Sequence, residues 1–169
     1  MKDGLKKLTV CGIMTAICLI LGYLEHLLPL SLLIPLPGVK LGLSNIALLV
    51  VLLIYGPAYA YGVTALKCGL SALLFGSATS LAFSLAGGLL AMTVMTALTA
   101  AFKEKLSVFG VSVAGAVAHN VGQLAAASVI MGSAAVFSYL PLLAVAGTVT
   151  GLITASVTSP TLKLTGYGK

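Results

Sequence analysis

Charged residues are scarce in this chain. Only 7% of its 169 residues are Asp, Glu, Lys or Arg, and 60% are hydrophobic. A typical soluble domain has about a quarter of its residues charged. A chain with so little polar surface cannot cover a water-exposed globule, so the composition predicts an integral membrane protein.

Acidic residues are the rarest of all and comprise only Asp3, Glu25 and Glu104. They are too few and too far apart in the sequence to gather around a Mg²⁺ ion and a diphosphate. The chain also has no Gly-x-x-x-x-Gly-Lys-Ser/Thr phosphate-binding loop, and no Ser-His-Asp or Cys-His arrangement is visible. We therefore predict no catalytic residue, no metal site and no cofactor.

Arginine is absent, so the net charge of +6 rests on nine lysines. These lysines are scattered between apolar runs, which fits residues that orient a membrane protein and argues against a nucleic-acid partner. The three cysteines also lie within apolar runs and form no Cys-x-x-Cys pair. Neither a disulfide framework nor a zinc site is predicted.

Apolar runs long enough to cross about 30 Å of hydrocarbon recur along the chain. The first follows Lys6 and Lys7 as in a signal peptide, but it is long and no Ala-x-Ala site closes it, so we expect it to remain as a helix. The sequence predicts an all-α, six-helix membrane bundle that forms one domain over residues 1–169. The predicted spans are 8–28, 39–55, 58–75, 81–101, 108–131 and 136–157.

The break between the second and third spans, at Gly56 and Pro57, decides between six spans and five. The six-span arrangement places most lysines on one side, whereas five spans would divide them almost evenly. The positive-inside rule therefore favours six spans in the plasma membrane, with both termini cytoplasmic. The lysines gathered on that side are Lys2, Lys6, Lys7, Lys103, Lys105, Lys163 and Lys169.

This arrangement puts Lys67 near the middle of the third span. A lysine at that depth costs roughly 2.5 to 3.5 kcal/mol on insertion scales. We expect Glu25, at the outer end of the first span, to approach Lys40 but to be too shallow to neutralise Lys67. A negative group on a ligand is the remaining candidate counter-ion.

Other polar residues fall at matching depths in the second, third and fifth spans. In hydrocarbon such side chains are costly, so they indicate faces turned to protein or water. A structural interpretation stays open, in which Lys40 extends to the lipid headgroups and Asn45 ties two helices together. The candidate ligand-binding residues are Lys40, Ser44, Asn45, Lys67, Ser71, His119, Asn120 and Gln123.

Two polar motifs and a glycine pair carry a resemblance to a known family. Residues 37–45 read Pro-Gly-Val-Lys-Leu-Gly-Leu-Ser-Asn, residues 118–123 read Ala-His-Asn-Val-Gly-Gln, and Gly87-Gly88 lies in the fourth span. Nearly the whole chain resembles the heptaprenyl diphosphate synthase component I family, whose members are also called Gx transporter proteins. That family is similar in turn to the S components of energy-coupling factor transporters, which are six-helix vitamin binders.

The resemblance implies a substrate-binding subunit of an ATP-driven importer. It implies a pocket for a vitamin-sized ligand in the outer half of the bundle, beneath the loop 29–38. A flavin, a quinone or isoprenoid precursor, or another anionic vitamin would suit it. The implied partners are a membrane coupling protein and two cytoplasmic ATPases. Gly12 and Ala16 match the family's alanine pair at the coupling contact, with glycine in the first place.

Two alternatives remain open at the level of the sequence. One is a membrane subunit associated with heptaprenyl diphosphate synthesis, which would need a partner to supply every metal-binding carboxylate. The other is a purely structural membrane scaffold. A small molecule that copurifies with the protein would separate both from the importer subunit.

Overall fold

The computed structural model describes residues 2–27, 40–102 and 105–165. Within these ranges the chain forms α-helices and no β-strand, so the all-α prediction is confirmed for them. A 3-10 helix, Ala134–Tyr139, precedes the last α-helix. The α-helices are α1 Lys2–His26, α2 Asn45–Tyr55, α3 Pro57–Phe75, α4 Ala78–Phe102, α5 Val108–Met131 and α6 Leu140–Leu164.

Five segments of this part of the chain are long and apolar enough to cross a membrane, which is consistent with a multi-pass membrane protein. They are α1, α3, α4, α5 and the stretch Ala134–Leu164 that ends with α6. The sixth predicted span is represented by α2, which has 11 residues. At 1.5 Å per residue α2 is about 16 Å long, roughly half of the hydrocarbon thickness. The prediction of six spanning helices is therefore confirmed for five.

The second span predicted over 39–55 is wrong in its first turns, because residues 40–44 are not helical. Gly42 has φ +90°, a conformation that favours glycine. The Lys40 N–H donates to Gln123 Oε1 at 2.8 Å, and Gln123 Nε2 donates to the Lys40 carbonyl at 2.7 Å. These two bonds tie the non-helical segment to α5 just before α2 begins.

The last span begins later than predicted. Residues 134–139 form the 3-10 helix, and the Ser133 side chain accepts a hydrogen bond from the Ala135 N–H at its start. Pro141 then stands in the first turn of α6, where its missing N–H is tolerated. The helix consequently covers Leu140–Leu164 rather than 136–157.

Helices α1 and α3 run in the same direction side by side. Near their starts, Lys7 Nζ lies 5.8 Å from the centroid of the Tyr59 ring. Near their ends, the rings of Tyr23 and Phe75 pack edge to face with centroids 5.7 Å apart. Helix α2 lies between α1 and α3 in the chain and contacts both of them.

Helix α5 lies between α4 and α6 and brings its polar residues into the centre of the bundle. Its backbone meets that of α4 closely, since a Cβ added at Gly122 would lie 2.6 Å from the Ala86 carbonyl oxygen and 2.8 Å from Gly87 Cα. Such contact between small residues is how helices approach closely inside a membrane. On the side of α6, Ser112 Oγ donates to the Gly151 carbonyl at 2.7 Å.

Candidate ligand-binding site

A small cavity lies where α1, α3, α4 and α5 meet the non-helical segment 40–44. Its volume is about 10 Å³, room for about one water molecule. We call it the central cavity. It is lined by Cys18, Gly22, Glu25, Lys40, Gly42, Ser44, Lys67, Ser71, Ser84 and His119.

The structure brings most of the predicted site residues together at this cavity. Lys40, Ser44, Lys67, Ser71 and His119 line it although they come from three different parts of the chain. The remaining predicted residues lie beside it, and their contacts are described below. The predicted loop 29–38 falls outside the described residues.

Lys67 enters the central cavity from the middle of α3. It is 6% exposed, and its Nζ donates to Ser44 Oγ at 2.6 Å. A neutral hydroxyl satisfies one donor of the ammonium group without neutralising its charge. Lys67 therefore faces the protein interior, as predicted, and its positive charge points into the cavity.

Lys40 reaches the same cavity from the segment that precedes α2. It is half-buried, with its Nζ 3.5 Å from Ser71 Oγ and 5.9 Å from the centroid of the Phe75 ring. The second distance is in the range of a cation–π contact. Two ammonium groups thus converge on one cavity, and the open interpretation that Lys40 extends to the headgroups does not describe this geometry.

Glu25 is the only acidic residue among the described residues that line the cavity. It is 2% exposed, and its Oε1 accepts a hydrogen bond from the Gly42 N–H at 2.6 Å. Glu25 therefore shares a cavity with Lys67, although the described residues show no ion pair between them, and whether it neutralises Lys67 stays a prediction. The non-helical segment before α2 brings Gly42 to Glu25 and Ser44 to Lys67.

Gln123 and Asn120 position the site from α5 without lining the cavity. Both are completely buried. Gln123 binds the backbone of Lys40 on both sides, as described above. Asn120 Nδ2 donates to the Leu143 carbonyl at 2.7 Å and so ties α5 to α6. The two amides are also joined to each other, with Gln123 Nε2 3.4 Å from Asn120 Oδ1.

Buried polar side chains at or beside the cavity also lack a hydrogen-bond partner among the residues that the structure describes, and these are Ser84, His119 and Asn45. His119 is 1% exposed, and neither of its ring nitrogens has a hydrogen-bond partner. Asn45 is 3% exposed, and neither its amide nitrogen nor its amide oxygen has one. His119 and Asn45 approach one another beside Gly42, where an added Cβ would lie 3.0 Å from Asn45 Nδ2 and 3.3 Å from His119 Cδ2. An unpaired buried polar group costs about 1–3 kcal/mol, so these atoms indicate a place for a water molecule or a ligand.

Sequence reasoning missed five residues of the cavity wall, which are Cys18, Gly22, Glu25, Gly42 and Ser84. Ser84 follows Ser77 and Ser80 at helical spacing, and this pattern in the sequence could have predicted a polar face on the fourth helix. Glu25 was noticed, but it was expected only to approach Lys40. Gly42 gave no separate signal, because a glycine in a polar motif does not reveal its backbone conformation.

A comparison with known families decides where this chain belongs. The family described as heptaprenyl diphosphate synthase component I matches residues 14–161, which is most of the chain. The chain belongs to this family. The resemblance drawn from residues 37–45 and 118–123 is thereby confirmed, since both motifs fall inside the matched range. The family's description names one component of a synthase and so implies a partner component. No curated protein and no solved structure matches the chain.

Proposed function

We propose that this protein is the substrate-binding subunit of an ATP-driven importer of the energy-coupling factor type. In this proposal it captures a small anionic ligand from the outer face of the plasma membrane. The observation that carries the proposal is the central cavity, where Lys40 and Lys67 converge beside the unpartnered side chains of His119 and Asn45.

The charge around the cavity favours an anion. Both ammonium groups line it, and α2 begins beside it at Asn45. The amino-terminal end of a helix carries a partial positive charge, and interrupted membrane helices in transporters direct such ends at anionic substrate groups. Attraction between unit charges about 5 Å apart is worth about 3 kcal/mol at an effective dielectric constant near 20. That corresponds to roughly a hundredfold in affinity.

The volume of the cavity limits what enters it. The cavity as it stands has room for about one water molecule, so the head group of a ligand enters only if a side chain moves. Lys40 is the side chain best suited to move, since its 3.5 Å contact with Ser71 is long for a hydrogen bond. A flavin, a quinone or an isoprenoid precursor would keep the rest of its structure outside this space.

The importer would need other subunits for energy, because the chain has no phosphate-binding loop. We propose a membrane coupling protein and two cytoplasmic ATPases, with Gly12 and Ala16 at the contact. Both residues are exposed on α1, and no heavy atom lies within 4 Å of a Cβ added at Gly12. The backbone of α1 is therefore accessible to a partner helix at that point.

Mass spectrometry of small molecules that copurify with the detergent-solubilised protein tests the binding role. Coexpression with a coupling protein and its ATPases, followed by uptake measurements in vesicles, tests the transport role. We expect a bound small anion that is retained by the wild type and lost in Lys67→Met. A protein that carries no small molecule and assembles with no ATPase module would show that the proposal is wrong.

The family's description favours a second function, as a membrane subunit associated with heptaprenyl diphosphate synthesis. Two converging lysines would also suit a diphosphate head group. With three acidic residues in the whole chain, a partner would have to supply the metal-binding carboxylates. Prenyl chain elongation by such a partner, measured with and without this protein, separates the two functions: only the synthase role predicts an increase that depends on this chain.

A further inference from the structure

The charged side chains of the central cavity do not cancel one another. Lys40 and Lys67 supply two positive charges, Glu25 supplies one negative charge, and His119 counts as neutral. The formal charge of the described lining residues is therefore +1. A ligand with one negative charge would bring this formal charge to zero, whereas a ligand with several would leave an excess negative charge.

Glu25 is held in place within this cavity. Its carboxylate accepts the Gly42 N–H at 2.6 Å, and the segment that contains Gly42 is anchored on its other side through Lys40 and Gln123. With 2% of its surface exposed, the side chain cannot turn to solvent without displacing that segment. A head group with several negative charges would therefore meet a fixed like charge.

The size of the cavity favours a smaller head group, which is a separate reason from charge. At about 10 Å³ it requires the wall to give way for any head group. A planar carboxylate requires the smallest displacement of the wall side chains, and a diphosphate requires a much larger one. The unpartnered atoms of His119 and Asn45 offer neutral hydrogen bonds that a carboxylate can use without further charge.

We infer that Glu25 is a specificity-determining residue that restricts this site to ligands with a singly charged head group, foremost a carboxylate. The inference rests on the proposed binding function and names its ligand class. Glu25 acts by repelling multiply charged head groups, while Lys40 and Lys67 attract the single charge.

The test compares head groups of different charge on nearly the same branched carbon skeleton. The probes are isovalerate, isopentenyl monophosphate and isopentenyl diphosphate, titrated into the full detergent-solubilised chain at constant ionic strength. Binding is followed by calorimetry and by the shift in thermal unfolding temperature. The wild type is expected to bind isovalerate at least about tenfold more tightly than isopentenyl diphosphate.

Two variants of Glu25 make the test specific. Glu25→Gln keeps an acceptor for the Gly42 N–H and raises the formal cavity charge to +2, so it should lose the preference for isovalerate or reverse it. Glu25→Asp keeps the charge and should keep the preference, although the shorter side chain weakens the hydrogen bond to Gly42. Retention of the ranking by Glu25→Asp together with its loss in Glu25→Gln excludes a purely structural role.

Three outcomes would overturn the inference. The first is that the wild type binds the diphosphate best. The second is that Glu25→Gln leaves the ranking of the probes unchanged. The third is that no probe binds the wild type or Glu25→Gln, although that variant carries two uncompensated lysines. Failure of the proposed binding function can be distinguished from failure of this inference, because it also requires that no small molecule copurifies with the wild type. A copurified dianion would overturn the inference alone.

Discussion

The side-chain amide of Gln123 holds the backbone of Lys40 on both sides, across 83 positions of sequence. Its Oε1 accepts from the Lys40 N–H at 2.8 Å, and its Nε2 donates to the Lys40 carbonyl at 2.7 Å. This pair of hydrogen bonds ties the non-helical segment 40–44 to α5. The interruption of the second span and the direction of the Lys40 side chain therefore both depend on α5.

Replacement of Gln123 by leucine should destabilise the protein by about 1–3 kcal/mol, because it leaves the buried backbone groups of Lys40 unpaired. We expect a lower thermal unfolding temperature in detergent and weaker ligand binding. Ser156→Ala is the control, since Ser156 is exposed and its hydroxyl bonds only to the Leu152 carbonyl of its own helix. Equal stability of the two variants would mean that water replaces the amide.

Replacement of Lys67 by methionine should weaken ligand binding by about a hundredfold, because it removes one of the two positive charges of the central cavity. The fold should persist, since a side chain of similar shape replaces a buried charge that is paired only with the Ser44 hydroxyl. The affinity for the copurified ligand is the measurement. Lys163→Met, which removes an exposed lysine from the last turn of α6, should bind like the parent. If Lys67→Met and the parent bind the ligand with equal affinity, Lys67 is not the counter-ion of that ligand.

Replacement of Gly122 by alanine should be strongly destabilising, since the new Cβ would lie 2.6 Å from the Ala86 carbonyl oxygen. Gly62→Ala is the matched control, because no heavy atom lies within 4 Å of a Cβ there. An alanine in an open helical position is expected to be neutral or to stabilise by about 1 kcal/mol. Thermal unfolding of both variants compares the two sites, and a stable Gly122→Ala would show that α4 and α5 can separate freely.

Gly12→Leu or Ala16→Leu should abolish assembly with an ATPase module, because a large side chain keeps a partner helix away from α1. Ligand binding should stay intact, since both residues are exposed and neither lines the central cavity. Copurification of the coupling protein and ligand affinity are measured on the same preparation. If both variants assemble and transport normally, this face is not the docking surface.

Single cysteines in a cysteine-free background should reveal the orientation in the membrane. Cysteines at Ser77 and Ser133 should react with an impermeant reagent from outside, and one at Ser107 should not, because the positive-inside rule places that turn in the cytoplasm. All three positions are exposed in the structure. Labelling at Ser107 alone would reverse the predicted topology.

Composition and periodicity were sufficient to predict the helical, membrane-spanning character of the chain. Long apolar runs ended by glycine, proline or charged residues correspond to helices, and the span predicted over 108–131 coincides with α5. These properties are local, since each helix satisfies its own backbone groups and the cost of polar groups in hydrocarbon sets its length. The polar positions of the central cavity were predictable for the same reason, because a lysine such as Lys67 stands out in an apolar run.

The tertiary structure decided what those polar residues do to one another. Hydropathy assigns depth along straight, continuous helices, and on that assumption Glu25 and Lys67 lie apart. Contacts between distant segments interrupt the second helix at Gly42 and bring Glu25, Lys40 and Lys67 to one cavity of about 10 Å³. Sequence alone determined which residues had to avoid lipid. Only packing determined which of them meet, because hydrogen bonds between separate helices depend on how the helices approach in space.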